Sequence, residues 1–270
     1  MPNWYSLGST ILGTNSGDAT GSSVSLSSNG NVLAIGSPYF DGANINNGVV
    51  RVYENNGIDW IQRGSDINSE GNVDYNGYSV KLNNDGTVLA IGSTLNDGGA
   101  IDSGSVRVYV WNGTSWTKRG NDIDGVSTGD QFGASIDLSG DGLTLAVSAP
   151  GAGLRGETRV YSWSGSSWTN KGGVITPIYI DFTKSGKYVS LSNDGNTLVT
   201  TIWFSSLDYT QVYTWNGSAW IEKGNYLNGK DKAILSDDGN VMVIKNGTTI
   251  SAVVWNGSSW TGRGSSLAIS

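Results

Sequence analysis

Two sets of residues in this chain carry groups able to do chemistry. The first is a set of repeat-equivalent strand positions, Ser25, Lys81, Asp137, Ser190 and Ile234, of which only Asp137 is a carboxylate. Glycosidic bond cleavage needs two carboxylates facing one another across the bond, and the four glutamates, Glu54, Glu70, Glu157 and Glu222, fall in loops or outer strands. The chain has no His and no Cys, which removes an imidazole base, a thiol nucleophile and thiolate metal ligands. On this reading the chain is not an enzyme. The second set is aromatic and Asx residues in the longer loops: Tyr39, Phe40, Asp41, Asn44, Tyr75, Asn96, Asp97, Trp203 and Phe204. Rings of this kind make platforms for a sugar or a protein surface, and the Asx groups add directional hydrogen bonds. Tyr179 and Phe182 belong to the same class. The alternative is that such rings pack down as lids over sheet edges.

The elements that position these residues are written in a repeat. Trp4, Trp60, Trp116, Trp168 and Trp220 recur at spacings of 56, 56, 52 and 52, and Trp260 follows after 40 more. Each copy reads as four strands. One is Ser-Val-x-Leu-like (Ser79-Val80-Lys81-Leu82), one follows an Asx-Gly turn (Val88-Leu89-Ala90-Ile91), one is Val-Arg-Val-Tyr (106–109), and one begins at the register Trp. Alternation of apolar and polar residues marks strands, and Asn-Gly or Asp-Gly between two such runs marks a hairpin because Gly accepts positive φ. A repeat of this length made only of strands and turns predicts propeller blades.

The expected fold is therefore all-β, a five-bladed β-propeller of four-stranded antiparallel blades in a single domain over 1–270. The repeats run about 4–59, 60–115, 116–167, 168–219 and 220–259, with a terminal strand at 260–270. Six Trp strands for five blades leave one surplus at a terminus. Either the N-terminal strand closes the ring or the C-terminal one does, and the spare strand then caps an edge, pairs with another subunit or continues into a further blade. The paired tryptophans, such as Trp111 and Trp116, flank four-residue turns and should pack across their hairpins. The other reading is a sugar site repeated in each blade. Short Asx-Gly turns fall on one face and long loops on the other, where binding is housed.

Gly129-Asp130-Gln131-Phe132-Gly133-Ala134-Ser135-Ile136 followed by Leu145-Ala146-Val147-Ser148-Ala149-Pro150 resembles the FG-GAP repeat of integrin-α-type propellers. Gly17–Val24 with Leu33–Pro38 is similar, and the Asp-Gly hairpins are also similar to those of WD40-type blades, without their Trp-Asp pair. The likeness covers most of the first three copies and fades in the last two. It implies a propeller used for recognition and adhesion. Calcium-binding blades of that family carry Asp-x-Asp-x-Asp-Gly between inner strands, whereas here the turn is shortened to Asn84-Asp85-Gly86 or its equivalents. We therefore expect no cofactor, with calcium left as an option only in the loops 41–47 and 96–102.

A net charge of −7 and basic residues spread over the repeat argue against a nucleic-acid partner. No segment is apolar for long enough to insert in a membrane, and the start, Met1 to Ser6, lacks the pattern of a secretory signal. Together these readings give a non-catalytic recognition or adhesion module. It would bind a cell-surface glycan or protein through the long-loop face, on a virion, such as a phage tail, or another extracellular surface. Structural decoration or assembly of a virion or other large complex, with an oligomer possible, is the alternative, and a glycosidase-like propeller stands behind both.

Overall fold

The computed structural model of the chain describes residues 7–43, 45–176, 183–204, 209–228 and 231–268, with backbone alone at 183–185, 203, 204 and 228. Five antiparallel sheets follow one another along the chain. The first contains β1 (Ser23–Leu26), β2 (Val32–Ser37), β3 (Val49–Asn55), β4 (Trp60–Gln62) and β5 (Ile67–Asn68). The second contains β6 (Asn76–Leu82), β7 (Val88–Ser93), β8 (Ser105–Trp111), β9 (Trp116–Lys118) and β10 (Ile123–Asp124). In the third are β11 (Ile136–Leu138), β12 (Thr144–Ala149), β13 (Glu157–Trp163) and β14 (Trp168–Asn170). The fourth holds β15 (Thr183–Leu191), β16 (Thr197–Phe204), β17 (Tyr209–Trp215), β18 (Trp220–Glu222) and β19 (Leu227–Asn228). The fifth holds β20 (Lys232–Leu235), β21 (Val241–Asn246), β22 (Thr249–Trp255), β23 (Trp260–Gly262) and β24 (Leu267–Ala268). The two short pieces at a sheet's outer edge, such as β4 and β5, pair with the same neighbour and form one broken strand, so each sheet is a meander four strands wide. Trp260 begins the outer strand of the fifth sheet, opposite Trp255.

Chemistry at the turns fixes the inner hairpins. Ser139 Oγ donates to Asp141 Oδ1 (2.6 Å) and accepts the Thr144 N–H (2.9 Å), while Gly142 takes φ +68°. Ser27, Ser192 and Ser236 do the same in their sheets, and Asn83 substitutes in the second. Neighbouring turn tips are joined by backbone bonds in series: Ser28 N–H to Asn84, Asn84 N–H to Gly140, Gly140 N–H to Asn193 and Asn193 N–H to Asp237. Serines on the inner strands add to this latch, as where Ser25 Oγ accepts Leu82 N–H (2.9 Å) and Ser79 Oγ donates to the Gly133 carbonyl (2.7 Å).

Apolar side chains of each sheet face both ways, so the core lies between sheets. Val32, Ala34, Val50 and Val52 of the first pack against Val80, Leu82, Leu89 and Ile91 of the second. Similar clusters lie between the second and third, third and fourth, and fourth and fifth sheets. At the rim each junction carries a clasp. The Arg63 guanidinium lies 4.8 Å from the Trp111 ring and 5.8 Å from Trp116, and Trp116 Nε1 donates to the Arg63 carbonyl (2.9 Å). Arg119 repeats this with Trp163 and Trp168, Lys171 with Trp215 and Trp220, and Lys223 with Trp255 and Trp260. The two rings of each pair sit 5.5–5.6 Å apart. Burial lowers the Lys171 and Lys223 ammonium pKa values, with nearby carboxylates opposing it. The tryptophans thus pack across their hairpins and also join sheets.

The glycine after each clasping cation is required by its neighbour. Gly224 has φ +81°, and a Cβ there would lie 2.6 Å from Trp255, whereas at Gly264, φ +74°, it would meet open space. Gly224→Ala is expected to lose about 2–4 kcal/mol, ~1 from left-handed backbone and the rest from overlap. Gly264→Ala should lose only ~1 kcal/mol; equal losses in urea unfolding would refute the clasp geometry. A second expectation concerns acid. Burial opposes ionisation of Asp85 and Asp194, but bonds from Thr87 and from Ser192 and Asn196 outweigh it, leaving both carboxyls below their ordinary range. Stability from these groups is full above the unfolded carboxylate pKa of about 4 and is lost as pH falls through the lowered folded value. Asp194→Asn should therefore flatten the decline in urea midpoint between about pH 5 and pH 2, and an unchanged slope would count against this account.

Candidate functional site

The inner strands surround an axial funnel that opens on the long-loop face. Its mouth is a cavity of about 640 Å³ lined by Tyr39, Tyr75, Tyr78, Tyr188, Gln131 and Lys187 among others. A deeper cavity of about 430 Å³ shares Ser22, Tyr78, Ala134 and Tyr188 with it and adds Lys81, Asp137, Ser190, Lys232 and Ile234. Side chains alternate along a strand, so Lys81, Asp137, Ser190 and Ile234, together with the positions two residues before the repeat-equivalent set, line this channel.

At its floor Lys81 Nζ lies 2.8 Å from Asp137 Oδ1. The Asp137 carboxylate also accepts the Leu138 N–H (2.9 Å) and the Leu191 N–H (2.8 Å) of the next sheet. Three donors thus converge on Asp137, and the Lys81 ammonium is one of them. Higher up, Tyr188 has two cations over its ring, Lys232 Nζ at 5.2 Å and Lys187 Nζ at 5.9 Å. Three lysines and one carboxylate line the two cavities, inside a chain whose net charge is −7.

Around the mouth, three buried aspartates fold the entry loops. Asp18 accepts the Asn15 N–H (2.8 Å), Asp130 the Val126 and Ser127 N–H groups (3.1 and 2.8 Å), and Asp74 the Gly71 N–H (2.9 Å), Asn96 Nδ2 (3.1 Å) and Ser69 Oγ. The residue after each has positive φ: Ala19 +52°, Tyr75 +57° and Gln131 +55°. This conformation is costly for a non-glycine residue, and it is found at the funnel mouth, where Tyr75 and Gln131 line the cavity.

The structure separates the loop residues singled out by sequence. Tyr39 and Tyr75 line the mouth and meet edge to face at 5.0 Å. Phe40 stacks instead on Arg51 at 5.2 Å, beside the Arg51–Asp66 ion pair. Asp41 accepts the Asn46 N–H (2.7 Å), and Asp97 makes the same bond to Asp102 (2.8 Å), so both carboxylates close their own loops. Asn96 holds Gly98 and Asp74. Trp203 and Phe204 end β16 by backbone register, with side chains outside the described residues. Asn44, Tyr179 and Phe182 lie outside them altogether. Among the described residues no three acidic groups gather as metal ligands. Sequence reasoning missed Lys187, Tyr188 and Lys232. A signal was present, because Ser23, Ser79 and Ser135 occupy the register that becomes Tyr188 and Lys232 in the last two sheets.

No family model matches the chain, and no curated protein matches it in sequence. Solved structures do resemble it in fold. A candidate 6-phosphogluconolactonase of Bacteroides uniformis aligns at TM-score 0.57 and 10% identity, over 97% of this chain and 88% of that one. The periplasmic gluconolactonase PpgL of Pseudomonas aeruginosa aligns at 0.53 and 12%, over 92% and 85%. The Dos1 propeller aligns at 0.54 and 12%, over 85% of this chain and 54% of that one. Likeness at such identity shows the fold, and the fold is that of a β-propeller.

The expectation of a non-catalytic adhesion or virion module, and with it the expectation that the chain is not an enzyme, is corrected by this comparison. Three of the similar propellers carry the name of a 6-phosphogluconolactonase or gluconolactonase. That expectation rested on the number of carboxylates, whereas the ionisable side chains lining the cavities are lysines and tyrosines with a single carboxylate.

Removing the Asp74 carboxylate tests the mouth. Asp74→Ala removes the acceptor of three part-buried donors and should lower stability by about 1–3 kcal/mol in urea unfolding. A change under about 0.5 kcal/mol would show that the loops are held by other contacts.

Proposed function

We propose that the protein is a propeller hydrolase that opens a sugar lactone carrying an anionic group, bound in the axial funnel. The observation that carries this reading is the cationic, tyrosine-lined funnel within an acidic chain, with Lys81 fixed at its floor by Asp137. Support for the reaction class comes from the enzyme names carried by structures of the same fold.

Lys187 and Lys232 at Tyr188 hold the anionic substituent. Tyrosine hydroxyls at the mouth hydrogen-bond the sugar, and their rings cover its apolar faces. In the reaction, water adds its oxygen to the lactone carbonyl carbon, and negative charge develops on the carbonyl oxygen. The Lys81 ammonium stabilises that oxyanion within a partly enclosed site. The ring C–O bond then breaks, and the ring oxygen leaves as a hydroxyl, taking a proton that water supplied. Asp137 keeps the ammonium aimed at the axis. An FG-GAP type of repeat is a finer reading of the same architecture, and it draws support from the equivalent aspartate loops at Asp18, Asp74 and Asp130.

Hydrolysis of gluconolactone and of its 6-phosphorylated form, followed against the spontaneous reaction, tests this directly. Lys81→Ala should lower kcat by about 10²-fold. Lys187→Ala should chiefly raise KM for the phosphorylated lactone, by about ten-fold, as expected for lost ground-state binding. Absence of any acceleration over the spontaneous rate for both lactones sinks the proposal.

A further inference from the structure

The donors of the deeper cavity are not all committed within the fold. Ser23, Ser79, Ser135 and Ser190 line it beside Lys81 and Lys232. Ser23 and Ser79 donate their hydroxyl protons to the Gly77 and Gly133 carbonyls, both at 2.7 Å. Ser135 and Ser190 do the opposite, accepting the Val189 N–H (3.1 Å) and the Leu235 N–H (3.3 Å), so each keeps an O–H to offer the cavity. Lys81 is similar, since its ammonium has N–H groups beyond the one aimed at Asp137 and its side chain is 38% exposed.

Acceptors are scarcer. Among the described residues lining this cavity Asp137 is the one carboxylate, and both its oxygens are already used: Oδ1 by Lys81 and the Leu138 N–H, Oδ2 by the Leu191 N–H. A carboxylate brought to this floor would therefore meet donors of the kind that bind an anion strongly. A lactone carbonyl suits them less well, because it is neutral. Ring opening changes that, since the same carbon ends as a carboxylate. The contact that stabilises the passing oxyanion is kept in the product, whereas the substrate has no charge at that place.

We propose that the floor of the funnel is a carboxylate site, and that it retains the aldonate formed by lactone opening as a competitive inhibitor. This rests on the lactonase reading of the funnel. The carboxylate takes hydrogen bonds from Lys81 Nζ and from the Ser135 and Ser190 hydroxyls, and Lys232 adds attraction from the wall. The step that forms it consumes one water, breaks the acyl C–O bond of the ring, leaves the ring oxygen as a hydroxyl and passes one proton to solvent. Net turnover then depends on a following reaction that consumes a sugar acid.

Gluconate and gluconamide test this, because they share a shape and differ in the charge at the first carbon. Isothermal titration calorimetry should show gluconate binding at least about ten-fold tighter than gluconamide, and Lys81→Met should remove that preference. Lys232→Met, at an exposed side chain outside the ion pair, should narrow it by about three-fold. Gluconate should also inhibit gluconolactone hydrolysis competitively, with an inhibition constant below the KM of the lactone. Equal affinity for the two ligands, no binding of either, or a preference that survives in both variants overturns the proposal. A gluconate preference without any accelerated lactone hydrolysis leaves the carboxylate site standing and removes the lactonase reading instead.

Discussion

A cation held between one sheet and the tryptophan pair of the next is the interaction on which the architecture depends. Each sheet is apolar on both faces and cannot bury either alone. Side-chain packing between sheets is non-directional, so it brings sheets together without setting how they meet at the rim. The clasp does that: the ring accepts a cation on its face and its N–H reaches the backbone carbonyl of the same cationic residue. At the opposite edge of each sheet, the turn-tip bonds and inner serines fix the spacing about the axis. Rim and axis together set how neighbouring sheets approach, and Lys81 and Asp137 meet across that approach in a direct ion pair.

Much of this was legible in the amino-acid sequence, and the reason is local. Asx-Gly turns, Ser two residues before the Asx, and Trp on either side of a four-residue turn act within one hairpin, so composition and spacing report them. Arg63, Arg119, Lys171 and Lys223 each precede a glycine in the sequence, but the tryptophan that bonds each lies in the following sheet, 37 to 53 positions away. The funnel was hidden for a similar reason. Tyr188 and Lys232 come together only because two inner strands from different copies converge on one axis. The departure from serine at that register was readable, but its direction toward a common cavity was not.

The loop residues show the opposite failure. Phe40, Asp41 and Asp97 have the composition of a binding surface, yet each is occupied by a neighbour within its own sheet or loop. Asx side chains satisfy backbone N–H groups in turns as readily as they contact ligands, so their presence does not separate the two uses. Backbone geometry does not separate them either. Tyr75 and Gln131 hold positive φ and line the mouth, but Asn46 and Asp102 hold it as well, in the loops that Asp41 and Asp97 close. The count of carboxylates left out the ammonium and phenol groups that line the channel.

The clasp also bears on how such a protein changes over generations. Because each junction uses the same cation, ring pair and glycine, and because Arg and Lys both serve, one repeat can be duplicated or lost without redesigning the contacts of the others. The axis has no such freedom, since adding or removing a repeat would alter its width and change which side chains face one another across it. Selection for chemistry would then act as a brake on copy number, with the rim permissive and the channel restrictive.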